Sequence, residues 1–221
     1  MEHWTNRYNV RRFDQDKIPE HTDIINLSNI IKHVPSQDSK LDHFWFLLTP
    51  EHLELKEWLV DNVFFYAQGD QEDALVDEDM IQLITSPYVF LCVNTMINEK
   101  NQLNARRNSG IVLGALLAES LHMGYDTSIV GCTRGMNARD DRIQKCEEFT
   151  AMLKEHWDLS VMDPYRDSNR VVPHVALCVG YGLPLKEKIP YKLDGSNLES
   201  FGKYKYAPYG KYRKPIGNIV L

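Results

Sequence analysis

The chain has 221 residues, 43% of them hydrophobic and 25% charged, and a formal net charge of −6. This composition is typical of a globular protein large enough to bury a sizeable core, and the negative charge argues against a general nucleic-acid binder. Glu119 and Ser120 interrupt the apolar run at 111–118, and the N-terminus has no signal-peptide core. We therefore expect a cytoplasmic protein that contacts neither nucleic acid nor a membrane.

The N-terminal segment is basic and aromatic. Arg7, Asn9 and Arg11 alternate along it, so they share a face if the segment is extended. Two guanidiniums flanking an amide can bind a phosphate or a polyhydroxyl chain, whereas an isolated basic cluster is more often simply solvated. Beyond Pro19, apolar residues at helical spacing predict a helix that ends before the turn His33-Val34-Pro35-Ser36.

The middle of the chain alternates predicted strands and helices. We expect strands at Phe44 to Leu48 and Tyr88 to Val93, and a helix from Pro50 to Asp61 that is capped near Thr49. The acidic segment Ala67 to Glu78 reads as a mobile loop or lid. Asn94 to Asn104 reads as a polar connection.

A long apolar helix is predicted from Ser109, its expected N-cap, to Met123, with Gly124 at the stop. Because apolar or small residues occur almost all the way round it, we expect burial on every side. Gly110, Gly114 and Ala118 form a stripe that a flat partner could approach closely, although such a stripe is equally typical of ordinary helix packing.

A buried strand at Thr127 to Val130 is predicted to lead into the loop Gly131-Cys132-Thr133. Backbone N–H groups in this loop could donate to a ring nitrogen or an oxyanion, although a plain turn has the same composition. Cys132 could be a thiolate nucleophile, but no histidine lies near it in sequence. The four cysteines lack CxxC spacing and the histidines are scattered, so we expect buried thiols and no metal site.

The last predicted core elements are a helix at Asp140 to Trp157 and a strand at Val171 to Gly180. The helix's inner face should carry Ile143, Cys146, Phe149 and Leu153. Residues 185–221 hold eight cationic and three acidic side chains, and they include Lys211 and Arg213 on one face if the segment is extended. We therefore predict one α+β domain, 1–221, with residues 184–221 as an extended C-terminal arm.

Several motifs occur in a recognisable order. They are RYNVRRFD at 7–14, VPS at 34–36 before FWFLL, GYDTSIVG after the long helix, VALCVGYG, and KYRKP near the end. Together they resemble the nitroreductase family of FMN-dependent oxidoreductases over essentially the whole chain. The resemblance implies a three-layer fold with a central, mixed but mainly antiparallel sheet flanked by helices. It also implies that the C-terminal arm is exchanged in a homodimer.

The same resemblance implies FMN at the subunit interface. Its phosphate end would be held by Arg7, Tyr8, Asn9, Arg11, Lys211 and Arg213. Pro35, Ser36 and Ser39 of the other subunit would line the isoalloxazine, with Ile129 and Val130 packing against the ring. A backbone N–H of Gly131 or Cys132 would donate to flavin N5.

The implied activity is hydride transfer from NADH or NADPH through the flavin to a nitroaromatic, a quinone or a similar flat acceptor, in a ping-pong reaction. Ser39 and Leu41 stand where the family has Asn and Gln, which weakens polar contacts to the flavin. Gly131 stands where one subgroup is acidic. The alternatives are a specialised FMN enzyme that uses oxygen or dehydrogenates a metabolite, and a flavin-free homodimeric binding protein of the same fold.

Overall fold

A computed structural model describes the structure of residues 10, 12–35, 43–64, 81–95, 99–132, 141–160 and 171–183. In chain order the elements are α1 (His21–His33), β1 (Phe44–Leu48), a 3-10 turn (Pro50–His52), α2 (Leu53–Leu59), a π-helical turn (Val60–Phe64), α3 (Ile81–Thr85), β2 (Tyr88–Thr95), α4 (Glu99–His122), β3 (Asp126–Gly131), α5 (Arg142–His156) and β4 (Val171–Gly180).

The four strands form one antiparallel sheet in the order β1-β2-β4-β3. The two central strands are almost wholly buried, as expected for strands with helices on both faces, whereas β3 alternates more. The β2–β4 register shifts between Cys92 and Val93, so His174 lies at an irregularity in the ladder. Among the described strands, β1 and β3 are the outer ones.

Helices cover both faces of this sheet, which gives three layers. On one face α1 and α4 pack over Phe90 and Leu177. On the other face α2, α3 and α5 pack over Leu91 and Cys178. The predicted α+β class and the flanking helices are therefore confirmed. None of the helices in the described ranges is long and apolar enough to cross a membrane.

Helix α4 differs from its prediction in two ways. It begins at Glu99, so Ser109 is not an N-cap but a buried residue of the helix interior, and its hydroxyl donates to the carbonyl of Arg106 at 3.0 Å. The helix is also not buried on every side. Val112 and Leu116 face the sheet, whereas Gly110 and Gly114 are exposed and Ile111 is 49% exposed.

The other elements agree with the sequence more closely. The predictions for β1 and β4 are confirmed, β2 and β3 are slightly longer than predicted, and α5 begins two residues later. Ile143 is 50% exposed, so its predicted place on the inner face of α5 is wrong; Cys146, Phe149 and Leu153 are buried there. The predicted lid at 67–78 and the predicted arm at 184–221 lie outside the described residues.

Candidate functional site

The end of β3 separates the two backbone donors that the sequence left as alternatives. The N–H of Cys132 donates to the carbonyl of His174 at 2.8 Å, so the sheet itself uses this donor. Gly131 is paired with Val175 in the same ladder. Because the groups of successive residues in an antiparallel strand point to alternate sides, the N–H of Gly131 points away from β4. Of the two predicted donors, Gly131 is the one directed outward.

A second hydrogen bond supports this orientation. The carbonyl of Thr127, four residues before Gly131 and therefore on the same side of the strand, accepts from the N–H of Val10 at 3.2 Å. The outward side of β3 thus has its backbone groups available to other segments. Val10 and Arg12 lie on either side of Arg11, the last residue of the predicted phosphate-binding segment. The hydrogen bond of Val10 therefore places the end of that segment beside β3.

Gly131 is exposed, and a Cβ built on it would meet nothing within 4 Å. Among the residues that the structure describes, Gly131 therefore presents an outward N–H and open space for a side chain at the outer edge of β3. Since an unshielded strand edge offers backbone donors to whatever approaches it, this edge can hold a planar group with an acceptor at its rim.

A tight turn and a side-chain hydrogen bond fix the position of β3. Gly124 has φ of +86°, and the N–H groups of Gly124 and Tyr125 donate to the carbonyls of Leu121 and Ser120 at 3.1 and 2.9 Å. This is a Schellman end to α4, and it places β3 directly after the helix. At the start of β3, a carboxylate oxygen of Asp126 accepts from the N–H of Gly182 at 2.8 Å, which ties β3 to the end of β4.

Ile129 and Val130 point to opposite faces of the sheet, as alternate strand residues must. Ile129 packs, partly buried, against the cluster beneath α1 and α4, whereas Val130 is 3% exposed in the other cluster. The expectation that both side chains pack against one ring stays a prediction. Ile129 is the partly accessible one on the face that Gly131 shares.

The side chain of Cys132 is fully buried, and burial raises the pKa of its thiol well above the ordinary value. A thiolate is the reactive form of cysteine, so this residue is not suited to nucleophilic chemistry. All four cysteines are buried and none forms a disulfide, and this includes Cys132, which the sequence placed in a loop. No group of three or more metal-ligating side chains occurs among the residues that the structure describes.

His174 is the neighbour of this site that the sequence did not single out. Burial, together with the positive electrostatic effects of Arg106 and His43, lowers the pKa of its imidazole to about 4. The imidazole is therefore neutral at physiological pH. A histidine inside an apolar strand gives no sequence signal that distinguishes this environment from an ordinary core position.

The remaining predicted site residues are only partly covered by the structure. Pro35 is exposed and follows Val34, the residue that ends α1. The other predicted cofactor-binding residues lie outside the described ranges; they are Arg7, Tyr8, Asn9, Arg11, Ser36, Ser39, Lys211 and Arg213. Of the predicted site residues, the structure therefore places Ile129, Val130 and Gly131 on β3 and Cys132 directly after it.

A cavity of about 470 Å³ lies between the C-terminal half of α1 and strand β1. Its lining is mainly aromatic and aliphatic, with Lys32 and His43 as the basic members. The lining residues are Ser28, Ile31, Lys32, Val34, His43, Phe44, Trp45, Phe46, Leu47, Phe90 and Val112. The sequence pattern does not reveal this cavity, because each lining residue also suits a packed strand or helix.

Comparison of the structure with solved proteins gives the same fold. A nitroreductase with bound FMN from Desulfitobacterium hafniense superposes with a TM-score of 0.59 at 14% identity, over 86% of this chain and 96% of that one. NfrA1 of B. megaterium gives 0.56 at 14% identity, over 92% of this chain and 78% of that one. An FMN-dependent nitroreductase from Clostridium difficile gives 0.54 at 13% identity, over 91% and 95%.

The chain has the nitroreductase fold. This confirms the fold predicted from the order of its motifs. At the level of sequence, neither a family model nor a curated protein matches the chain. The likeness to these solved structures is therefore one of fold, at 13–14% sequence identity.

Proposed function

We propose that this protein is an FMN-dependent oxidoreductase that passes a hydride from NADH or NADPH to a flat acceptor such as a nitroaromatic or a quinone. The observation that carries the proposal is the N–H of Gly131, which points away from β4 at the edge of the described sheet in a nitroreductase fold. The solved relative from D. hafniense is described with bound FMN.

When bound, FMN supplies the redox chemistry, accepting a hydride and then giving it up. The chain's part is to hold the flavin and shape its surroundings. The N–H of Gly131 would donate to N5 of the oxidised flavin and so make N5 a better hydride acceptor. The open space at Gly131 would leave that edge of the flavin accessible. Arg7, Asn9, Arg11, Lys211 and Arg213 would bind the phosphate end through charge-assisted hydrogen bonds.

The proposal includes a homodimer. Gly110 and Gly114 on α4 are exposed, a Cβ on either would meet nothing within 4 Å, and Ile111 between them is 49% exposed. Such a small-residue stripe lets the same helix of a second copy approach closely. Pro35, Ser36 and Ser39 of the partner subunit would then complete the flavin site, and the C-terminal arm would cross to the partner.

The test is anaerobic reduction of the protein after reconstitution with FMN. Adding NADH or NADPH should bleach the flavin absorbance, and adding a quinone or nitroaromatic should restore it in a second, separate half-reaction. Full FMN occupancy without quinone or nitro reduction would indicate a specialised flavin enzyme instead. Failure to bind FMN under any condition would contradict the proposal and leave a flavin-free protein of this fold.

A further inference from the structure

The junction between the start of α2 and the end of α5 contains a cluster of aromatic and titratable rings that the proposed reaction does not use. His52 closes the 3-10 turn before α2, and its ring stacks on that of Trp157 with centroids 4.7 Å apart and planes 13° apart. Trp157 ends α5 and also packs against Phe46 of β1, at 5.0 Å. The stacked rings of His52 and Trp157 thus connect the 3-10 turn, α5 and β1.

His52 makes its hydrogen bonds through a nitrogen that must be unprotonated. The backbone N–H of Thr49 donates to Nδ1 of His52 at 3.1 Å, and the Thr49 hydroxyl lies 2.9 Å from the same atom. The Thr49 hydroxyl oxygen in turn accepts from the N–H of Glu51, which completes a reciprocal cap. Because Nδ1 is an acceptor here, the ring's single proton lies on Nε2.

The groups around His52 oppose a second proton. The ring of His156 on α5 lies 4.7 Å away edge-on, and the buried ammonium of Lys56 lies one turn further along the same helix face. Among the described residues, the carboxylate that acts on His52 is that of Glu51. Burial first, then His156 and Lys56, lower the pKa of His52 against the opposing effect of Glu51.

Protonation would change the contacts directly. A proton on Nδ1 removes the acceptor of the Thr49 backbone N–H, and the hydroxyl of Thr49 can accept from only one new donor. This part-buried N–H would then lack its acceptor, which disfavours the protonated ring in the closed turn. His156 and Lys56 also disfavour the charged form of the ring. The capped turn and the stack on Trp157 therefore suit the neutral ring alone.

We propose that this junction is a proton-operated latch. Neutral His52 fastens the start of α2 to the end of α5, and protonation of His52 in mildly acidic solution releases the turn at Thr49–His52 and the stack on Trp157. The remainder of the sheet stays formed, because α5 is held independently by the hydrogen bond from the N–H of Val171 to the Thr150 hydroxyl at 2.8 Å.

The direction in which pH changes the stability of the closed junction follows from the linkage between proton binding and folding. A histidine whose folded-state pKa lies below its unfolded value of about 6.5 contributes stability that is complete above that value. The contribution is lost as the pH falls from there through the folded-state pKa. The opening of the latch therefore increases about tenfold for each pKa unit of the difference between its closed and open forms.

The test is amide hydrogen exchange of the full chain, followed by NMR between pH 7.5 and 5 and corrected for the intrinsic pH dependence of exchange. In the natural protein, the protection of the Thr49 amide should fall severalfold below pH 6.5 while amides of β2 and β4 keep theirs. His52→Gln retains a side-chain acceptor in the capping-box position and cannot titrate, so its Thr49 protection should be flat across this range.

Two further variants complete the design. His156→Gln removes a ring that disfavours the second proton on His52, so the fall should become smaller and end at higher pH. His122→Gln changes an exposed histidine outside the junction and should behave like the natural protein. The latch is overturned if the Thr49 amide of the natural protein keeps constant protection, or if His52→Gln loses protection in parallel with it.

Discussion

At the scale of single residues, Gly131 illustrates what the sequence leaves open. The motif at the end of β3 located the backbone donor to within two residues, Gly131 or Cys132. The choice depends on which residues of β3 bond to β4, and that alternation is fixed by the register with Val175 and His174. A sequence pattern with period two places side chains on faces, but it does not tell which N–H groups the neighbouring strand uses.

Gly131→Pro and Gly131→Ala form a matched pair for this donor. Proline removes the N–H at a position on an outer strand that faces away from β4, where it is tolerated. Alanine keeps the N–H and adds a Cβ that meets nothing within 4 Å. We expect the flavin bound to the Gly131→Ala variant to be reduced at nearly the natural rate, and the flavin bound to Gly131→Pro about 10²-fold more slowly. Anaerobic stopped-flow measurements of flavin absorbance give both rates. Equal rates for the two folded variants would exclude Gly131 as the donor.

At the scale of elements, the strands were predictable and the ends of the helices were less so. Runs such as FWFLL and VVPHVALCVG are apolar and rich in β-branched or aromatic residues, and such short runs are typical of buried strands. The predicted polar connection at Asn94 to Asn104 is wrong, because Asn94 and Thr95 end β2 and Glu99 to Asn104 are the first six residues of α4, which carry no apolar period. They are helical because the apolar part of the same helix packs on the sheet and propagates the helix backwards.

The turn after α4 offers a test at this scale. Gly124 has φ of +86°, a conformation that costs an L-residue with a Cβ about 1–2 kcal/mol. Gly124→Ala should therefore lower the free energy of unfolding by about that amount, measured by urea denaturation. Gly124→Asn should lose less, because asparagine enters this region more readily. An alanine variant as stable as the natural protein would show that the turn does not hold β3 in place.

At the scale of the whole molecule, the exposed face of α4 is the largest difference between expectation and structure. The sequence predicted an all-round buried helix, whereas the chain alone buries only the face carrying Val112 and Leu116. An apolar pattern does not distinguish burial within one chain from burial against a second copy. The exposed Gly110, Ile111 and Gly114 are the part of the pattern that the fold of one chain does not account for.

Gly114→Leu tests whether a second copy covers this face. The leucine side chain has room in the single chain, since a Cβ at Gly114 meets nothing within 4 Å, but it would hold two helices apart. We expect the variant to be monomeric by light scattering and to bind FMN weakly, because the flavin site would lack its second subunit. Ala151→Leu, which changes an exposed position of α5, should remain dimeric. A dimeric Gly114→Leu protein would place the interface elsewhere.

The central claim, that the molecule holds FMN at the edge of β3 with its basic termini, is tested most directly by its visible absorption spectrum after incubation with FMN and gel filtration. The account predicts a yellow protein with flavin absorbance retained at about one FMN per chain, and loss of that absorbance in the double variant Arg11→Ala, Arg213→Ala. A colourless natural protein, or a double variant that retains FMN as well as the natural protein does, would contradict it.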